Sequence, residues 1–203
     1  MSVEILSDGQ IDETPDLLIL DMAASPGGKT TQLAEVYPNS LVIGNEFDKS
    51  RLPQLLENIE RMGSDNIAVT NYSGAFFSGA GEIFDRILLD APCSGEGIAH
   101  KAPESLDYWN IKNVRKIAAV QTRLLRAALD TLAVGGNMVY STCTLNAMEN
   151  EGVVESAIAG RMDAFRITYD HRFWPHREET GGFYICRIEK MASTRDSSKD
   201  APR

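Results

Sequence analysis

Two short segments of this chain carry residues able to do chemistry: Asp90-Ala91-Pro92-Cys93-Ser94-Gly95 and Ser141-Thr142-Cys143-Thr144. Each follows an apolar run that reads as a buried strand, residues 86–89 and 137–140. Strand ends are where α/β sheets place their ligands. Two thiols delivered to one crevice by two strands point to nucleophilic sulfur chemistry. An isolated cysteine is ordinarily a small, inert core residue. These two stand among Pro, Ser, Thr and Gly, a setting that favours reactive thiols over core packing. Cys186 lies inside the alternating run Tyr184-Ile185-Cys186-Arg187-Ile188 and reads as structural.

A third segment, Asp21-Met22-Ala23-Ala24-Ser25-Pro26-Gly27-Gly28-Lys29-Thr30, joins the first expected strand to the first expected helix. A glycine pair at such a turn lets backbone approach a ligand and aims helix N–H groups at it. Three chemistries compete for it. A phosphate-cradling P-loop needs Gly at position 23, where Ala23 stands. A dinucleotide fingerprint needs G-x-G-x-x-G, which is absent. The third is the first loop of an S-adenosylmethionine-dependent methyltransferase. Glu46, at the end of the second expected strand, fits that chemistry, since a carboxylate there can accept hydrogen bonds from both ribose hydroxyls. Its ordinary alternative is a solvated strand end.

These segments need a scaffold. Strands are expected at 17–20, Leu41–Asn45, Ile67–Thr70, 84–89, 137–140, 165–168 and 183–188, and helices at 29–36, 49–62, 114–133 and 147–158. This alternation implies a Rossmann-like α/β fold: a mostly parallel seven-stranded sheet with helices on both faces. The last run follows Gly181-Gly182 and alternates with a period of two, so it reads as a late antiparallel strand. Asn146 with Glu149 has capping-box spacing, which would open a helix just after Cys143. Residues 1–16 form a short lead and 17–190 one catalytic domain, while the Ser-, Asp- and Lys-rich 191–203 reads as a disordered tail.

The 203 residues suit one domain, and 43% hydrophobic with 24% charged residues suits a globular protein. No stretch approaches the ~20 apolar residues of a membrane-spanning helix, and the N-terminus lacks a signal peptide's pattern. Three cysteines with no C-x-x-C pair indicate neither a disulfide framework nor a zinc site, and fit a reducing cytoplasm. His100, His171 and His176 lack metal-ligand spacing, so surface or hydrogen-bonding roles are expected and no metal. A net charge of −9 counts against nucleic acid, although charge distribution matters more. On the helix at 114–133 and its lead-in, Lys112, Arg115, Lys116, Arg123 and Arg126 fall in one stripe opposite Val114, Ile117, Ala118, Leu124, Leu125 and Leu129. The stripe reads either as an ordinary solvated face or as a track for RNA phosphates.

With these residues in hand, the chain resembles the catalytic domain of the Sun family of RNA (cytosine-5)-methyltransferases, from about Leu17 to Lys190. DMAASPGGKT resembles the family's cofactor loop, NEFDKSRL its ribose-binding strand end, DAPCSGEG and STCTLNAMENE its two cysteine loops, and RFWPHREETGGFYICRIEK its closing segment. The resemblance implies S-adenosylmethionine as cofactor, held by Ala23, Ala24, Ser25, Pro26, Gly27, Gly28 and Lys29, with Glu46 on the ribose and Arg51 supporting the site. It implies Cys143 as nucleophile and Cys93 as the group assisting product release. Asp90 would contact cofactor and target base, and Lys29 would reach the base. Two departures stand out. Ser73 occupies the place of the family's usual aspartate near the adenine, which implies a weaker, uncharged contact. The family also normally carries a further segment, often an RNA-positioning domain, before the first strand. The chain therefore reads as a minimal or excised catalytic domain, a monomer that such a domain could aid.

The chemistry needs these residue types. Carbon 5 of cytosine is a poor nucleophile until a thiolate adds to carbon 6, which splits one hard step into easier ones. A thiol near its ordinary pKa of about 8.5 is only partly ionised at neutral pH, and a helix opening beside Cys143 would favour the thiolate. A protonated Asp90, or Lys29, would offset charge developing on the ring. A base such as Cys93, directly or through water, could take the carbon 5 proton. The leading expectation is 5-methylcytosine formation in RNA, ribosomal rather than transfer RNA on family breadth alone. The alternatives are a non-catalytic RNA-associated scaffold and a P-loop-like nucleotide hydrolase using Gly28-Lys29-Thr30.

Overall fold

Apolar runs become strands here because both faces of the sheet are covered. A computed structural model of the chain describes residues 1–14, 16–99, 101–107, 109–178 and 180–195. In chain order the elements are α1 (Ser2–Leu6), β1 (Leu18–Asp21), α2 (Gly28–Val36), β2 (Leu41–Asn45), α3 (Leu52–Met62), β3 (Ile67–Thr70), β4 (Phe84–Asp90), α4 (Ile111–Thr131), β5 (Leu132–Thr142), α5 (Glu151–Ile158), β6 (Phe165–Phe173), α6 (Pro175–Glu178) and β7 (Phe183–Lys190). The seven strands form one sheet in the order β3-β2-β1-β4-β5-β7-β6. β1 to β5 run parallel, and β7 is antiparallel to both β5 and β6. The expected Rossmann-like architecture is therefore present, with β7 as the late antiparallel strand.

Successive strand residues face opposite layers. Leu20, Ile87, Leu89, Met138, Tyr140 and Tyr184 pack with Leu125 and Leu129 of α4 and Val153 and Val154 of α5. Ile19, Val42, Leu88, Val139 and Ile185 pack on the other face with Val3 and Leu6 of α1 and Leu33 of α2. Full burial of each such side chain contributes about 1.5–3 kcal/mol. Helix α1 was not expected. The reading of 1–16 as a short lead overlooked Val3 and Leu6, which are spaced to share one helical face and are buried.

Several boundaries differ from expectation for identifiable reasons. Helix α4 begins at Ile111, because the Asn110 side chain accepts the Asn113 N–H at 2.9 Å. It ends at Thr131 rather than 133, because Leu132 already pairs with Phe84 across the sheet. The expected helix at 49–62 splits into a 3-10 turn, Lys49–Arg51, and α3. Pro53 cannot donate a hydrogen bond and so takes the first turn of α3, where no intrahelical donor is needed. The expected strand at 165–168 continues to Phe173 along β7.

The expected helix at 147–158 starts only at Glu151. Asn146 Oδ1 does accept the Glu149 N–H at 2.9 Å, but the turn it caps is wide, with Gly152 N–H reaching back to the Ala147 carbonyl. Asn150 leaves helical geometry, its side chain accepting from Thr142 Oγ1 and donating to the Thr144 carbonyl.

Beyond β7, Thr194 N–H donates to Glu82 Oε1, which also pairs with the buried Lys190 Nζ at 2.9 Å. Residues 196–203 of the expected tail, and His100, lie outside the described residues. His171 is exposed and faces Glu178, and His176 is exposed.

Candidate active site

Strands β4 and β5 are parallel neighbours with Asp90 opposite Ser141, so their C-terminal loops leave the sheet side by side. That register brings Cys93 Sγ and Cys143 Sγ to 3.0 Å, with both thiols free. The hydrogen bond from Cys93 pulls the Cys143 thiol below its ordinary range, helped by the charge of Lys29 and opposed by burial and Asp90. The same contact, with burial, pushes Cys93 far upward. The expected source of this effect was a helix opening beside Cys143. That is corrected here, because α5 begins only at Glu151. Cys186 is fully buried, and burial pushes it up to about 12, consistent with a structural role.

One buried carboxylate ties the two cysteine loops together. Glu149 accepts the Ser94 N–H at 2.9 Å, Gln121 Nε2 at 3.0 Å and Asn146 Nδ2 at 2.7 Å. Gln121, on α4, also donates to the Pro92 carbonyl at 2.8 Å, and Ser94 and Thr144 exchange a hydroxyl bond. A backbone crossing completes the clamp: Gly97 N–H donates to the Cys143 carbonyl, and Gly182 N–H to the Gly97 carbonyl. A Cβ on Gly97 would lie 2.0 Å from the Gly182 oxygen, so only glycine permits this approach.

Lys29 and Asp90 sit beside the thiols. Lys29 Nζ bonds Asp90 Oδ2 at 2.6 Å, and Ser141 Oγ donates to Asp90 Oδ1 at 2.7 Å. Ser2 of α1 donates in turn to Ser141. Asp21, at the end of β1, accepts from Thr30 Oγ1 at 2.7 Å, and burial pushes its carboxyl up to about 6. This arrangement excludes a P-loop role for Gly28-Lys29-Thr30: the Thr30 hydroxyl is buried against Asp21, and Lys29 is bonded to Asp90.

A cleft of about 180 Å³ is lined by Asp21, Lys29 and Asp90 together with Ala23, Ala24 and Gly28. Ser25 and Pro26 complete its wall. Gly27 opens α2 in the left-handed region at φ 109°, and a Cβ on Gly28 would meet open space. Small residues and a helix N-terminus around a cradle suit the expected cofactor. Glu46 is buried, with Oε2 accepting the Ser25 N–H at 3.3 Å and Oε1 the Asp48 N–H at 2.8 Å. Arg51 donates to the Ser25 carbonyl at 2.8 Å and lies 3.7 Å from Glu46, so it holds the loop in place. Ser73 is exposed at the head of a 3-10 turn, Gly74–Gly79, after β3.

Sequence reasoning missed several of these groups. Asn45 is fully buried and bonds the Met22 and Tyr72 carbonyls, joining the ends of β1 and β3. Its signal was a polar residue closing an apolar strand, the same signal that picked out Glu46. Gln121 was legible as a polar residue on the apolar stripe of α4. In the basic stripe, Lys112, Arg115, Lys116 and Arg123 are exposed. Arg126 is exposed as well, and its guanidinium also donates to the Ser156 carbonyl, which links α4 to α5.

A family model described as 16S rRNA methyltransferase RsmB/F matches residues 9–189. The chain belongs to the RsmB/F family. The family is S-adenosylmethionine-dependent, as the cofactor loop suggested. The Ribosomal RNA small subunit methyltransferase F of Shewanella loihica is 38% identical over 208 residues, covering 94% of this chain and 43% of that protein. The protein of the same name from Salmonella paratyphi B is 42% identical over 200 residues, covering 90% and 42%. The chain thus spans less than half the length of these curated relatives. Among solved structures, NSun6 from Pyrococcus horikoshii with SFG is 30% identical with a TM-score of 0.80, covering 95% of this chain and 51% of that one. Among the described residues no helix is long and apolar enough to cross a membrane, and no cluster of three or more His, Cys, Asp or Glu could hold a metal ion.

Proposed function

We propose that this chain methylates carbon 5 of a cytosine in ribosomal RNA through a covalent adduct with Cys143, acting in the cytoplasm. The observation that carries the reading is the pair of free thiols 3.0 Å apart at the ends of β4 and β5, with the Lys29–Asp90 pair beside them. When bound, S-adenosylmethionine supplies the electrophilic methyl group. Ala23, Ala24, Ser25, Pro26, Gly27, Gly28 and Lys29 would surround it, with Glu46 accepting the ribose hydroxyls, Arg51 bracing that corner, and Ser73 near the adenine. Ribosomal RNA is preferred over transfer RNA because the family description and the curated relatives both carry it.

The residues divide the work. The Cys143 thiolate adds to carbon 6 and breaks the ring's double bond, which makes carbon 5 electron-rich. Lys29, or Asp90 in its protonated form, offsets the negative charge that develops on the ring. After carbon 5 is methylated, a water molecule in the crevice takes its proton, the electron pair of that C–H bond reforms the double bond and the Cys143 thiolate is expelled. Cys93 keeps its own proton and is aimed at that sulfur, so it supports the departing thiolate with a hydrogen bond. Cytosine must leave its stack to reach this crevice. Isolated small-subunit ribosomal RNA incubated with the chain and methyl-labelled cofactor tests the reading. Label mapped to carbon 5 of one cytosine is the expected result. Label on another atom, or none, contradicts it.

A further inference from the structure

A second cleft, of about 340 Å³, is lined by Trp109, Val114 and Ile117, by Lys116 and Asn113, and by the Cys93 loop. Among the described residues it shares no lining residue with the cofactor cleft, and neither Asp90, Lys29 nor Cys143 contributes to its wall. The reacting base must touch Cys143, which lies one sulfur beyond this wall, 3.0 Å from Cys93. The cleft opens off the loop of Cys93, the neighbour of that nucleophile.

Trp109 has the form of a stacking platform. Nearly half of it, 45%, is exposed, although burying a Trp is strongly favourable. Yet it is not loose. Its indole N–H donates to Glu96, whose carboxylate also accepts the Leu145 N–H at 3.2 Å and Asn146 Nδ2 at 3.1 Å. The ring is thus anchored by its polar edge to the loop that carries Cys143. Lys116 lies at the same cleft, and Lys112 and Arg115 are exposed on the same helix. In a chain of net charge −9, a fixed aromatic ring, apolar walls and a local run of cations match a nucleobase and its phosphate.

We propose that this cleft receives an unpaired nucleobase next to the target cytosine, stacked on Trp109 with its phosphate near Lys116. The inference rests on the RNA reading above and adds a second contact, one that selects unpaired sequence around the target. An RNA oligonucleotide spanning the mapped cytosine, with one abasic position scanned along both flanks, tests it. At one flanking position the abasic change should lower kcat/KM roughly 5- to 150-fold, the scale of one base–aromatic stack. Trp109→Ala should lose as much on intact RNA and nothing further on that abasic RNA. Trp109→Phe should recover most of the loss, and cofactor affinity should be unchanged in both variants.

Losses that add in full at every position, or a Trp109→Ala variant as active as the parent, overturn the proposal. Indole fluorescence supplies a readout that needs no turnover, with Trp109→Phe as the blank for Trp174. Oligocytidylate should quench Trp109, and a fully abasic strand of equal length should not. Absence of quenching overturns the platform, whereas quenching without methyl transfer overturns only the function proposed above.

Discussion

Glu149→Leu should loosen both cysteine loops at once. The Glu149 carboxylate is fully buried and serves the Ser94 N–H, Gln121 Nε2 and Asn146 Nδ2 at 2.9, 3.0 and 2.7 Å. Leucine fills similar space but accepts none of these bonds. Each stranded donor costs about 1–3 kcal/mol. Gln121 is fully buried and sits near the upper end, while Ser94 and Asn146 reach some water and sit near the lower. The sum is roughly 4–5 kcal/mol, a large share of a domain stability of about 5–15 kcal/mol. Glu149→Gln keeps one oxygen for Ser94 and Gln121 and turns an amide toward Asn146, so it should lose only about 1–2 kcal/mol. Urea unfolding of the two variants at equal slope gives the difference. Native-state labelling of Cys93 and Cys143 should accelerate in parallel with it. A Glu149→Leu variant within 1 kcal/mol of the parent, or a Gln variant as damaged as the Leu variant, would refute the clamp.

Other outcomes are equally specific. Asp21 titrates at about 6 in the fold against an ordinary 3.8, so the folded state holds the proton more tightly and stability falls as pH rises from about 4 to about 6. That is about 3 kcal/mol at neutral pH; Asp21→Asn, which keeps an acceptor for Thr30, should gain up to this amount above pH 6 and nothing at pH 4. A gain independent of pH in parallel unfolding curves would show that the buried charge is not the cause. Glu46→Ala leaves the Ser25 and Asp48 N–H groups without their acceptor, and under the proposed cofactor role it also removes charge-assisted bonds to the ribose worth about 1.5–3 kcal/mol each. Calorimetry should show weakened S-adenosylmethionine binding, and tighter binding of ATP or NAD to the parent would overturn the cofactor assignment. Reversing Arg115, Lys116 and Arg123 to Glu should weaken RNA binding and flatten its salt dependence by about 0.7 per lost phosphate contact. An unchanged salt slope would return the stripe to an ordinary solvated face.

Much of the fold is local pattern and was legible. The apolar runs of β1, β2, β4 and β5 and the loops after them announced a parallel sheet with reactive groups at its rim. What sequence spacing does not record is register. Cys93 meets Cys143 because Asp90 pairs with Ser141 across β4 and β5, and nothing in either loop alone states that pairing. The helix after Cys143 was misplaced for a related reason. Asn146 and Glu149 have capping-box spacing, but their side chains reach Ser94, Glu96 and Gln121 on other segments, and these tertiary bonds replace a regular first turn. The Gly97–Gly182 crossing was hidden similarly, since a glycine needed for close approach looks in sequence like any loop glycine. Arg126 belongs to the stripe by angle, but its bond to the Ser156 carbonyl depends on where α5 packs, which the helix pattern does not record.

The central claim is the division of labour between the two thiols, and trapping the protein–RNA adduct on a denaturing gel tests it most directly. Cys143→Ala should abolish methyl transfer and the adduct together. Cys93→Ala should attack more slowly at neutral pH, for want of the hydrogen bond that favours the Cys143 thiolate, but should still transfer methyl and release product more slowly yet, so that a covalent protein–RNA band accumulates. An adduct that survives Cys143→Ala and vanishes in Cys93→Ala would place the nucleophile on the β4 loop and contradict the account.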